Sequence, residues 1–155
     1  MAQDFLQCSL VLAMATLVGH VVRCNGLPHH MFGKKDPYVI MKVVSADGKD
    51  HGEARAPVKK DAGSDPVWER SEATFNFATV EKGASIHFVV KDKDLGPDDY
   101  IGECALPVDL IPFDVPTEYT LSLGLSRKVT KAGKKTPNGT ITVEMQVTMH
   151  HHWFG

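Results

Sequence analysis

The sequence predicts an all-β protein, an eight-stranded antiparallel β-sandwich, on three observations. No segment sustains a helical period; short runs rich in Val, Ile, Thr and Phe are separated instead by Gly, Pro, Asn and Asp. The last run alternates strictly, with Ile141, Val143, Met145, Val147 and Met149 interleaved by Thr142, Glu144, Gln146 and Thr148, a strand with one buried and one wet face. Runs of this kind recur eight times, and a chain of 155 residues, 43% hydrophobic and 23% charged, suits one globular domain with a substantial core.

Taken in order, strands are expected over Thr16–Cys24, Pro37–Val44, Gly52–Val58, Ala73–Val80, Ser85–Lys91, Ile101–Val108, Glu118–Leu123 and Thr140–Thr148. Residues 1–15 read as an extension, 16–149 as the sandwich and 150–155 as a His-rich, aromatic tail. "FLQCSLVLAMATLVG" is apolar and contains an Ala-Met-Ala stretch, but Asp4 precedes it and no Lys or Arg does. We therefore expect an uncleaved extension in preference to a secretion signal. It is too short for the roughly 20 apolar residues of a membrane span. Cys8, Cys24 and Cys104 are odd in number and widely spaced, the pattern of free thiols in a reducing compartment. A cytoplasmic protein is expected.

If consecutive strands run antiparallel, the first, third, fifth and seventh connections share one end of the sandwich. They are "GLPHHMFGKKD" (26–36), "KKDAGSDPVW" (59–68), "DKDLGPDDY" (92–100) and "GLSRKVTKAGKKTPNG" (124–139). The third of these is the most chemically loaded. Ile86, Phe88 and Val90 share one parity, and Asp92 and Asp94 extend it, so both carboxylates project to the same side. Calcium takes six to eight oxygens at about 2.3–2.6 Å with tolerant geometry, and magnesium suits the pattern less because it keeps its waters. The charge pattern by itself fits equally a solvated acidic turn screened by Lys91 and Lys93.

Three separated segments weigh on that choice. Asp36-Pro37-Tyr38-Val39 after Leu27-Pro28, then Asp65-Pro66-Val67-Trp68-Glu69, then Asp92-x-Asp94 followed by Asp99-Tyr100-Ile101-Gly102-Glu103 occur in order at strand-length intervals. Together, from about Thr16 to Thr148, they resemble the C2 domain family of calcium-dependent phospholipid-binding modules, and small stand-alone members such as plant elicitor-responsive proteins in particular. With "GTITVEMQVT" at the C-terminal end, the resemblance implies the strand topology of phospholipase C and the novel protein kinases C. It also implies calcium ligands at Asp36 in the first loop and at Asp92, Asp94 and Asp99 in the third. The family's other first-loop aspartate is replaced by His30, a poor ligand for a hard cation. The third loop is one residue shorter than the family's, which leaves Asp98 as a substitute ligand. One weak calcium site is expected. The opposing reading is a degenerate member that no longer takes calcium.

Around that site the sequence gathers apolar and basic groups. Met31, Phe32 and Leu95 fall at loop tips, where they suit insertion among headgroups or burial against a neighbouring loop. Lys34, Lys35, Lys59 and Lys60 are expected at the same end, as are Arg127, Lys128, Lys131, Lys134 and Lys135. Each is worth about 1 kcal/mol near an anionic membrane, so an anionic phospholipid surface is the expected partner, with a protein partner as the alternative. A net charge of −2 argues against nucleic acid. His150-His151-His152 reads as a tail with adventitious metal affinity, and Asn138-Gly139-Thr140 matters as a sequon only in a secreted chain. No phosphate-binding Gly-Lys-Ser loop, Gly-x-Ser-x-Gly elbow or His-Glu-x-x-His is present, so a non-enzymatic module is expected. The expected function is calcium-dependent recruitment to anionic membrane; the alternative is a calcium-independent interaction or scaffold domain.

Overall fold

A computed structural model describes residues 15–28, 35–94, 96–124 and 138–149. Eight strands form: β1 (Ala15–Asn25), β2 (Pro37–Val44), β3 (Asp50–Ala56), β4 (Thr74–Val80), β5 (Ser85–Asp92), β6 (Asp99–Pro107), β7 (Thr117–Ser122) and β8 (Thr140–Met149). They make two four-stranded sheets, ordered β4-β1-β8-β7 and β3-β2-β5-β6. Every strand pair is antiparallel. The N-terminal strand is thus central, clamped between β4 and the C-terminal strand.

Every expected strand is present, with shifted ends that have local causes. Pro57 lacks an N–H for the ladder, so β3 stops at Ala56 and does not reach Val58. β6 starts two residues earlier than expected because Asp99 and Tyr100 pair with Asp92 and Lys91 beyond an irregularity between Val90 and Lys91.

Period-2 patterning builds the core. Along β5, Ile86, Phe88, Val90 and Asp92 are buried while Ser85, His87, Val89 and Lys91 are half-buried. β8 contributes Ile141, Val143, Met145 and Val147, and these meet Phe88, Met41 and Val39 of the other sheet in one continuous cluster. Thr142 departs from the expected wet face: it is 1% exposed, and its hydroxyl lies 3.1 Å from that of Thr120 on the adjacent strand. Trp68, of the Asp-Pro-Val-Trp segment, is buried with its indole N–H donating to the Pro57 carbonyl at 2.7 Å. Gly19 pairs with Met145 of the adjacent β8, and a Cβ there would stand 2.2 Å from the Glu144 carbonyl oxygen.

The odd-numbered connections converge as strand parity requires. Leu27 N–H donates to the Ser64 carbonyl (3.0 Å), Gly63 N–H to that of Lys35 (3.2 Å) and Lys93 N–H to that of Asp36 (3.0 Å). The Asp65 carboxylate accepts the Gly26 N–H at 2.9 Å. Gly139, at φ +89, brings the end of the seventh connection against Asn25 and Gly26, where a Cβ would come within 2.4 Å of the Asn25 carbonyl. The roots of all four connections therefore form one interlocked end.

Candidate metal centre

β5 delivers Asp92 to this end as the last inward position of its alternating face, 5% exposed. Asp94 continues beyond the strand, and β6 opens with Asp99 directly opposite Asp92 in the ladder. Asp92, Asp94 and Asp99 each place a carboxylate oxygen within 4.8 Å of the others. Oxygens held about 2.3–2.6 Å from one ion stand up to roughly 5 Å apart, so this set matches a single calcium-sized cation. All-oxygen, all-carboxylate chemistry suits the same hard ion.

The first connection is stapled to the cluster through its backbone. Asp36 N–H donates to Asp92 Oδ1 at 2.7 Å, and Pro37 pairs with Asp92 in the β2–β5 ladder. The Asp36 side chain, expected as a ligand, has Oδ1 accepting the Asp61 N–H at 2.7 Å. Asp61 makes that contact from φ +54, a left-handed turn conformation that Asp tolerates. Asp36 thus borders the three-carboxylate group and ties it to the 59–68 connection.

Asp98, expected as a substitute ligand, is placed differently. Its Oδ2 accepts the Tyr38 hydroxyl at 2.6 Å, and its Oδ1 accepts the Asp94 N–H at 3.2 Å and lies 3.6 Å from Lys93 Nζ. The Tyr38 hydrogen bond is the main reason its carboxyl titrates below the usual range. Tyr38 in turn is pushed up to about 12, first by burial and then by Asp98. Asp98 shapes the loop from outside the cluster.

The basic residues separate. Lys35, expected at the lipid-facing surface, is only 3% exposed and so is turned inward. Burial pulls its ammonium below the usual lysine range, while Asp92, Asp99 and Asp94 oppose that shift. Lys59 is half-buried in an ion pair with Glu72, and Lys60 is exposed. His30, Met31, Phe32, Lys34, Leu95, Arg127, Lys128, Lys131, Lys134, Lys135 and the 150–155 tail lie outside the described residues. No helix among the described residues is long and apolar enough to cross a membrane.

Sequence reasoning missed two participants, Tyr38 and Asp61, and placed a third, Lys35, at the lipid-facing surface where the structure buries it. Tyr38 carried a signal, since it follows Asp36 by two and is presented on the first strand after the loop. The other two act through loop–loop contacts with no local pattern.

Comparison with known proteins agrees with this architecture. The family model of the C2 domain matches residues 15–125. FT-interacting protein 4 of Arabidopsis thaliana is 36% identical over 115 residues, 73% of this chain and 14% of its own length. An Arabidopsis thaliana protein named calcium-dependent lipid-binding protein is 28% identical over 146 residues, 89% of this chain and 25% of its own. The chain therefore spans a quarter or less of these relatives. Among solved structures, the C2A domain of plant Extended Synaptotagmin 1 superimposes with a TM-score of 0.71 at 22% identity, covering 90% of this chain and 97% of that one. PLC21 of L. pealei gives a TM-score of 0.63 at 15% identity, covering 90% of this chain and 16% of that one. With the motifs, the two-sheet topology and the family match in agreement, the chain belongs to the C2 domain family.

Proposed function

We propose that the chain is a non-enzymatic recruitment module that binds anionic phospholipid surfaces in a calcium-dependent way through the end carrying Asp92, Asp94 and Asp99. The observation that carries this reading is the convergence of those three carboxylates within 4.8 Å. A relative named for calcium-dependent lipid binding supports it. Asp36 borders the site. Calcium neutralises charge that otherwise repels anionic headgroups and offsets the lysines, which leaves a net basic end: an electrostatic switch. Lys34, Lys60 and the basic residues of the seventh connection supply the attraction, and Met31, Phe32 and Leu95 the apolar contact. The protein would then be cytoplasmic and peripheral to the membrane when loaded.

The test is calorimetric titration of calcium into the metal-free protein, without and then with phosphatidylserine-containing vesicles. Saturable binding that tightens with vesicles, and is lost in the D92N/D94N double variant, is expected. Vesicle binding that ignores both calcium and those substitutions would overturn it.

A second reading, a calcium-independent interaction domain, draws on the engagement of Asp36 with Asp61 and of Asp98 with Tyr38. These contacts take up oxygens that a fuller ligand set would use. Calorimetric silence with intact partner binding would favour it.

A further inference from the structure

We propose that an apolar groove at the end of the sandwich opposite the acidic cluster is the docking site of the chain's own N-terminal segment, residues 5–14. The inference is independent of the calcium reading, because the two sites stand at opposite ends of the strands: β5 starts at Ser85, paired with Pro107 beside the groove, and finishes at Asp92.

The groove is lined by Val80, Val108, Ile111, Phe113 and Val147 together with Ala15, the first residue of β1, and has a volume of about 230 Å³. An apolar cavity of roughly 150 Å³ takes a benzene ring, so this one has room for about one or two large aliphatic side chains. Backbone contacts fix its wall: Phe113 pairs with Val147 in a parallel bridge, and the Asp114 N–H, at φ +58, donates to the Val147 carbonyl at 2.8 Å. Along the same stretch Leu110, Phe113 and Val115 are 64%, 50% and 54% exposed. Clustered apolar exposure beside a groove marks an interaction surface.

The occupant comes from residues 1–14, outside the described residues. From Phe5 to Met14 the sequence holds no charge and includes Phe5, Leu6, Leu10, Val11, Leu12 and Met14. The segment joins the fold at Ala15, itself part of the groove wall, so no linker separates occupant from site. Val80 ends β4 and Met149 ends β8 level with Ala15, so no described strand runs on beside the residues that precede it. Apolar side chains gain free energy by leaving water, and a direct tether gives them an effective concentration on the order of millimolar. The C-terminal residues 150–155 leave from Met149 at the same end, but three histidines stand between the strand and Trp153. The N-terminal segment is the better match in both chemistry and reach.

The test is urea unfolding of the full chain as wild type, L10S/V11S/L12S, F113S and the combination of the two. A docked segment lowers the midpoint by about 0.5 M or more when the triple substitution is made in wild type, and by less than about half as much in the F113S background. F113L, which trims the wall without adding a polar group, replaces F113S if the latter does not fold. An unchanged midpoint in the triple variant overturns the inference. So does an equal loss with and without Phe113, because the segment then packs elsewhere. W153S/F154S is run through the same cycle, and coupling of Phe113 to those positions in place of residues 10–12 overturns the inference in favour of the C-terminal tail. A midpoint that rises with protein concentration overturns it in favour of a second copy of the chain.

Discussion

The Tyr38 hydroxyl donates a 2.6 Å hydrogen bond to Asp98 Oδ2 across sixty positions of sequence. That bond joins the start of β2 to the turn before β6 and engages one Asp98 oxygen, while the other accepts the Asp94 N–H, so the Asp98 carboxylate is not among the three that converge. Two adjacent aspartates, Asp98 and Asp99, consequently have different tasks.

Asparagine substitutions separate those tasks. D94N and D92N are each expected to weaken calcium binding by ten-fold or more, because each removes a negative oxygen from a small ligand set. D98N is expected to change calcium affinity by less than about three-fold, since Asp98 acts outside the set. The same substitution should bring the Tyr38 titration down from about 12, though not to the free value, because burial is the larger cause. Calorimetry reads the first effect and ultraviolet absorbance of the phenolate the second. Comparable calcium losses in D98N and D94N would contradict the assignment.

His20 on β1 predicts an acid-side loss of stability. It is 8% exposed, and burial followed by the Arg70 charge lowers its pKa, against smaller opposing effects of Glu144 and Glu118. The unfolded chain therefore takes a proton that the fold resists. Its contribution is fully present above the unfolded value of about 6.5 and is lost as pH falls from there towards the lower folded value. Melting temperatures should fall between about pH 7.5 and 5.5, and H20Q should show a smaller fall than wild type. Parallel pH profiles for the two would remove His20 from the account.

The two described thiols should be inert in the fold. Burial raises Cys24 far above the ordinary thiol range, with Cys104 adding to it. Cys104 is pushed up to about 12, by burial first and Glu103 second. With almost no thiolate near neutral pH, neither should react with an aromatic disulfide reagent until denaturant is added. A C8S background isolates these two thiols, and rapid native labelling would show that one of them is accessible.

Gly19→Ala tests the close approach of the paired strands β1 and β8. A Cβ there would meet the Glu144 carbonyl at 2.2 Å and the Phe75 ring at 2.8 Å, and backbone on the adjacent strand cannot rotate away. Overpacking of this kind costs about 1–3 kcal/mol or more. Urea unfolding should show a lower midpoint at unchanged slope; an unchanged midpoint would mean that the strands separate without strain.

The sequence by itself determined the strands, their alternation and the arrival of Asp92 on the inward face of β5. It also determined which connections share an end, because antiparallel succession leaves no other parity. These features follow from covalent geometry repeated every two residues, so Ile86, Phe88 and Val90 are enough to say where Asp92 points. Tertiary structure alone decided that Lys35 turns inward, that Asp36 gives one oxygen to the Asp61 N–H, and that Asp98 answers Tyr38. Each of these depends on which loops meet after the sheets have packed. A loop lysine is exposed on average, and Lys35 is buried only once the first and third connections have met; no pattern local to Lys34-Lys35-Asp36 carries that information.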